Sequence, residues 1–360
     1  VTSAPVRVSV FGKTDLGLTR DHNEDTFLVA DLSAPDASLQ PAVRDHEVGP
    51  RGSLFMVADG MGGAAAGEVA SAMAADSIYH HLTTAWAGDE DISGARFAFR
   101  MKEAVELANA KIYAYAREHP DVRGMGTTVT AAGVYGDELY LTQIGDSRGY
   151  LIRNGVTFQL TRDQSLTQRL VDAGELTEEE AEQSERRNII LQALGPDPRV
   201  KVDLSHQKLR RGDTLILCSD GLSGLVKREE FSQMVAENGD LATLCSSLID
   251  LANDRGGPDN VTVVAARFDG AGLLDPDTKD GAGYEVYHVT DQEATDPVPP
   301  PPPSPPPEPS PPAPMETLTP RESPLPPMPE APPVAHRGHS ELLIAAALIA
   351  LIALILTAIF

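Results

Sequence analysis

The chain is 360 residues long, enough for one large or two ordinary domains, and carries a formal net charge of −24 with an isoelectric point near 4.6. That acidity, with no basic face set against it, argues against a general nucleic-acid binder and reads first as solubility. Cys218 and Cys245, the only two cysteines, make no disulfide framework and suit a reducing compartment; neither begins a Cys-x5-Arg arrangement, which excludes a cysteine-nucleophile phosphatase.

Residues 1–30 lack a basic segment followed by an apolar core, so no secretory signal is expected there. Residues 6–12 alternate like an opening strand. A short irregular span then presents Arg20 together with Asn23-Glu24-Asp25, ahead of a strand over 26–30; a solvated charged loop is the other reading of that cluster. Residues 31–53, rich in Pro, Asp and Gly, read as a surface loop. The apolar run from Leu54 ends abruptly at Asp59-Gly60, as a buried strand that stops at a carboxylate would. Gly60, Gly62 and Gly63 free the backbone to turn and to approach a ligand closely. Helical spacing of Ala, Met, Ile and Leu follows over 64–86. Residues 95–119 form a second long amphipathic helix whose stripe of Phe97, Met101, Val105, Ala108 and Ile112 reads as core.

A strand over 129–135 comes next. Gly136-Asp137 and Asn154-Gly155 are hairpin signals, and two hairpins in succession mean antiparallel sheet. Between them a strand from Leu139 ends at Asp146. Residues 163–196 are a polar insertion with a short helix over 163–174 and a capping signal, Thr177 with Glu180, opening another over 177–182. This insertion has the character of a mobile flap beside a site. Strands over 199–205 and 214–219 follow, the second ending at Asp220-Gly221. Helices near 229–236 and 241–253 precede Asp259 and a last strand over 261–268. Asp59, Asp146, Asp220 and Asp259 thus stand at strand ends far apart in sequence. Hard divalent cations take such oxygen clusters, and carboxylates crowded without a cation raise one another's pKa.

From residue 269 the composition shifts, and 20 of the 29 prolines lie between Pro297 and Pro333. Residues 269–341 are expected to be a disordered, semi-rigid polyproline tether, with a docking strip for a proline-binding module as the alternative. Residues 342–360 are an uncharged run of nineteen, close to the roughly 20 apolar residues that cross a bilayer. They read as a single-pass C-terminal anchor in the cytoplasmic membrane. His336, Arg337 and His339 on its N-terminal side place the 6–268 body in the cytoplasm.

Taken together, Arg20…Asn23-Glu24-Asp25, Ala58-Asp59-Gly60-Met61-Gly62-Gly63, Gly126-Thr127-Thr128, Ile144-Gly145-Asp146-Ser147-Arg148, Ser219-Asp220-Gly221 and Gly257-Pro258-Asp259-Asn260-Val261-Thr262 resemble, in order, the metal-dependent protein serine/threonine phosphatase family of type 2C in its bacterial form. The resemblance covers about 6–268. It implies an α+β, four-layer α-β-β-α sandwich: two antiparallel sheets flanked by helices, with metals at one end. It further implies that Asp59 bridges two Mg²⁺ or Mn²⁺ ions and that the Gly60 carbonyl binds one of them. Asp220 and Asp259 would hold the other, while Glu24 contributes directly or through water and Asp25 orients the shell. Asp146, with Asp220, matches a third, weaker metal position, and Arg20 would bind the substrate phosphate. Met61 replaces a His that eukaryotic members carry, which leaves protonation of the leaving oxygen without an assigned side chain.

The implied activity is hydrolysis of phosphoserine and phosphothreonine in proteins by a water activated between two metals, without a covalent phosphoenzyme, opposing bacterial-type Ser/Thr kinases. The alternative is an inactive, metal-binding, membrane-tethered adaptor.

Overall fold

The computed structural model describes residues 4–34, 36–38, 44–62, 66–184 and 186–289. Of the expected tether over 269–341, residues 290–341 lie outside the described residues, as do the membrane run over 342–360 and Gly63. Among the described residues no helix is long and apolar enough to cross a membrane.

Two sheets carry the fold, and every strand pairing in them is antiparallel. One has β10 (Val156–Gln159), β9 (Arg148–Arg153), β12 (Thr214–Cys218), β13 (Val261–Asp269), β1 (Arg7–Asp15) and β4 (Arg44–Glu47) in that order. The other runs β11 (Asp203–Lys208), β8 (Glu138–Ile144), β7 (Val129–Tyr135), β5 (Ser53–Met61), β2 (Asp25–Asp31) and β3 (Asp36–Ser38), with β6 (Gly126–Thr127) added to the end of β5.

Side-chain alternation along the strands decides the layering. In β5, Phe55 and Val57 point into a core shared with Leu215 and Leu217 of β12 and with Val264 and Phe268 of β13, so the two sheets pack face to face. Leu54, Met56 and Ala58 point the other way, onto α1 (Ala66–His81) and α2 (Gly94–Glu118). The opposite sheet turns Val261, Val263 and Ala265 outward onto α6 (Arg228–Glu237) and α7 (Leu241–Asp254). Four layers result, helix–sheet–sheet–helix, as expected. Both faces of the central strands are buried, so Leu54 to Ala58 of β5 and Leu215 to Cys218 of β12 are apolar at successive rather than alternate positions. Each fully buried Phe or Leu contributes roughly 1.5–3 kcal/mol.

The stripe on α2 is core: Phe97, Met101, Val105, Ala108 and Ile112 are all buried. Ser93 caps that helix by accepting the Arg96 N–H. The Asn154-Gly155 hairpin takes positive φ at both residues (52° and 75°), the geometry a two-residue turn needs. In the insertion, α3 (Leu166–Asp172) is followed by α4 (Glu178–Glu182), where Thr177 and Glu180 form the expected capping box.

Four expectations need correction. Residues 31–53 are not all loop, because they hold β3 and β4, edge strands with one open side and a polar sequence that hides them. The strand expected over 199–205 is shifted to Asp203–Lys208, where the β8 partner lies. The helix that begins at Ala66 ends as a π-turn over Leu82–Trp86. Finally, the folded body does not stop at 268. Leu273 is buried, Val286 bridges Ser205, and the Tyr287 N–H donates to Leu204 O at 2.8 Å. Residues 283–287 are therefore laid along the β11 edge, while 272–274 bond to Pro5 and Arg211.

Candidate metal centre

Backbone hydrogen bonding fixes Asp59 before any ligand is considered. β5 does not end at this residue but continues to Met61, because β6 pairs with it. The Asp59 N–H donates to Thr128 Oγ1 (3.0 Å), and its carbonyl accepts from Thr127 Oγ1 (2.9 Å) and the Thr128 N–H (2.8 Å). Asp25 stands directly opposite on β2. A Cβ on Gly60 would come within 2.3 Å of Gly67 O and 2.5 Å of Glu24 O, so only glycine lets these three segments meet. The Gly60 N–H donates to Glu24 O at 3.1 Å.

The opposite sheet delivers Asp220 and Asp259, and β8, in the same sheet as β5, delivers Asp146. Asp220 opens α5 (Asp220–Ser223) directly after β12, and Asp259 lies two residues before β13. Asp146 follows β8 on a turn where Gly145 has φ of 98°. Ser219 ties the sheets together: its Oγ donates to Asp25 Oδ2 at 2.8 Å and accepts the Thr262 N–H at 3.0 Å. Asn260 does the same for the Arg20 loop, accepting the Glu24 N–H and donating to Leu16 O and His22 O. Neither residue has a role assigned from sequence. Their signal is only that each is a polar residue beside a proposed ligand.

Asp59, Asp146, Asp220 and Asp259 are thus brought within electrostatic reach of one another. Burial pushes the Asp59 carboxyl well above the usual range, and the charges of Asp25, Asp220, Asp146 and Asp259 push it further. Burial raises Asp25 to about 7, although hydrogen bonds from Thr262 and Ser219 pull it back. Burial and then the Asp220 and Asp163 charges raise Asp146 to about 8. Asp220 is raised by burial and by Asp259. Among the described residues no three acidic, His or Cys side chains close into a finished ligand cage. The donor set nevertheless fits hard cations: it is all oxygen, and Asp146 Oδ1 and Asp220 Oδ1 are buried with no hydrogen-bond partner among the described residues.

Two of the expected residues sit at the margin. Glu24 lies against α1: a Cβ on Gly67 would fall 2.7 Å from its carboxyl carbon. Arg20 donates to Asp259 Oδ2 at 2.8 Å from a half-exposed position. Arg20, Asp146, Asp220 and Asp259 line one cleft of about 220 Å³, with Arg148 and Arg187 on the flap side. Arg148 is pinned to Asp163, at the start of the flap, at 2.7 Å.

These raised acids predict a pH effect on the metal-free protein. Asp25 and Asp146 bind protons more tightly folded than unfolded, so their contribution is complete below about pH 3.8 and is lost as pH rises through about 7 and 8. Thermal unfolding in EDTA should therefore shift to lower temperature from pH 5 to pH 8.5, and added Mn²⁺ should stabilise more at the higher pH. A metal-free melting temperature that climbs over this interval would contradict the crowding.

Sequence comparison places the site in context. A profile described as Protein phosphatase 2C matches residues 35–245, more than half of the chain. The serine/threonine protein phosphatase PstP of Mycobacterium tuberculosis is 39% identical over 241 residues, which are 67% of this chain and 45% of that protein. The chain thus spans less than half the length of PstP. The serine/threonine phosphatase stp of Listeria monocytogenes is 36% identical over 258 residues, covering 71% of this chain and 94% of that one. A crystal structure of the PstP catalytic domain in complex with two manganese ions superimposes with a TM-score of 0.59 at 36% identity, over 73% of this chain and 99% of that one. The chain belongs to the protein phosphatase 2C family.

Proposed function

We propose that the chain is a metal-dependent phosphatase of phosphoserine and phosphothreonine proteins. The observation that carries this reading is the convergence of Asp146, Asp220, Asp259 and Arg20, from four separate segments, on a single cleft, with Asp59 in electrostatic reach of all three carboxylates. Asp59 would hold two cations, with the Gly60 carbonyl on one and Asp220 and Asp259 on the other; Asp146 with Asp220 would offer a third position, and Glu24 an outer one. Two Mn²⁺ or Mg²⁺ ions held there would supply a water of lowered pKa and positive charge against the phosphoryl oxygens. Asp25 would orient the shell, its Oδ2 held by the Ser219 hydroxyl. Arg20 presents a planar fork to the phosphate, which a lysine could not match. Both cysteines are buried with thiols pushed up to about 12, so neither serves as nucleophile.

Hydrolysis of a phosphothreonine peptide should require Mn²⁺ or Mg²⁺, stop in EDTA and leave no phosphate on the protein. Absence of hydrolysis at saturating Mn²⁺ would sink the reading. Arg20→Ala should raise KM roughly tenfold or more with a smaller loss in kcat, as expected for one charged hydrogen-bonding partner. Because Asp259 is released by that change, Mn²⁺ affinity should hold or rise. A fall in metal affinity with an unchanged KM would make Arg20 a structural residue. We further read 342–360 as the membrane anchor, supported by its uncharged length, and phosphorylated kinases and their substrates as partners. Recovery of the full chain in the soluble fraction would remove the anchor.

A further inference from the structure

Beside the metal cleft, and sharing Arg148, Asp163 and Arg187 with it, lies a larger groove of about 900 Å³. Its walls are the flap helices α3 and α4, β10, the start of α6, and the segment 282–284 that follows the last strand. This last wall is fixed in place. Tyr284 Oη donates to the Asp203 carboxylate at 2.8 Å, the Gly283 N–H donates to Gln207 Oε1 at 3.2 Å, and Arg153 Nη1 donates to Gly281 O at 3.0 Å.

The groove is electrically out of character with the rest of the chain. Among the described residues, Arg148, Arg162, Arg187, Lys227 and Arg228 line it beside Asp163, Asp172 and Glu178, in a chain of −24. Arg148 and Asp163 neutralise each other, as do Arg162 and Asp172. Of the cations that remain, Lys227 and Arg228 sit together at the start of α6. Arg228 meets Glu178 only at 3.6 Å between exposed side chains, a pairing worth little. Lys227, exposed at the N-cap of α6, has no ion pair among the described residues. The nearby acid Glu230 is taken up by Arg255 at 2.6 and 2.7 Å. Two exposed cations and the N-terminal end of a ten-residue helix therefore face a cavity that adjoins the cleft lined by Asp146, Asp220 and Asp259.

We propose that this groove docks an acidic stretch flanking the phosphorylated residue of a protein substrate, with Lys227 and Arg228 as its specificity determinants. The proposal rests on the phosphatase reading above and names the substrate class that reading leaves open. An acidic protein repels acidic partners over much of its surface, so attraction at this groove also sets the approach direction.

The test compares two phosphothreonine peptides, one flanked by glutamates and the other by glutamines, on the full chain with Mn²⁺. Wild type should favour the glutamate peptide about tenfold in kcat/KM at low salt. That preference should shrink as the screening length falls from about 10 Å at 0.1 M to about 3 Å at 1 M. Lys227→Glu combined with Arg228→Glu should abolish or invert it while p-nitrophenyl phosphate turnover stays unchanged. Equal kcat/KM for the two peptides in wild type overturns the proposal, as does a preference that survives both charge reversals. Loss of p-nitrophenyl phosphate turnover in wild type would instead indict the phosphatase reading itself.

Discussion

Asp220→Asn is expected to lower kcat/KM for a phosphothreonine peptide by about a thousandfold or more, while leaving the metal-free protein as stable as wild type or more so. The two effects have opposite signs, which makes the experiment informative. Asn keeps the shape of Asp but removes one charge from a cluster in which burial and Asp259 already hold the Asp220 carboxyl up. Without cations, that deletion relieves repulsion felt also by Asp59, Asp25 and Asp146, so the melting temperature in EDTA should hold or rise. With cations, a donor whose Oδ1 has no hydrogen-bond partner among the described residues is lost. A change of about 4 kcal/mol in transition-state stabilisation corresponds to a thousandfold in rate. Added Mn²⁺ should then raise the melting temperature less than in wild type, since ligand stabilisation follows the ratio of free metal to its dissociation constant. Near-normal turnover at saturating Mn²⁺ would remove Asp220 from the centre. A large drop in the EDTA melting temperature would make it a structural residue instead.

What could be read from sequence follows from where solvent lies. β5 and β12 sit between a second sheet and a helical layer, so Leu54 to Ala58 and Leu215 to Cys218 are uniformly apolar and visible as runs. β4 is an edge strand with the pattern Arg-Asp-His-Glu, and nothing in that pattern separates it from a loop. The ligand candidates were legible because an apolar strand ending in Asp recurs along the chain. Ser219 and Asn260 were not, because their work is hydrogen bonding between segments roughly 200 residues apart or more, which no local spacing records. The segment after β13 was hidden for a related reason: it is held mainly by backbone hydrogen bonds, Tyr284 and a buried arginine, rather than by a period of apolar side chains.

That buried arginine gives the largest stability effect expected outside the metal centre. Arg153 Nε and Nη2 meet Asp213 Oδ1 and Oδ2 at 2.9 and 2.6 Å, with side-chain exposures of 2% and 0%. Asp213 also accepts the Arg210 N–H at 2.7 Å, and Arg153 also donates to Lys208 O and Gly281 O. Asp213→Ala leaves the guanidinium buried with no counter-charge, a loss of about 3–5 kcal/mol and roughly 10 °C in melting temperature. Asp213→Leu with Arg153→Met should recover much of this, because the penalty lies in the stranded charge and not in the missing attraction. Arg153 and Arg148 stand at opposite ends of β9, about 16 Å apart at roughly 3.3 Å per residue, so p-nitrophenyl phosphate turnover well below the melting point should change little. In the double variant the preference for the glutamate-flanked peptide should weaken, because Gly281 loses the Arg153 Nη1 donor and the wall at 282–284 loosens with it. A fully stable Asp213→Ala variant would mean that water reaches the guanidinium and that the pair is not the interior clamp its geometry describes.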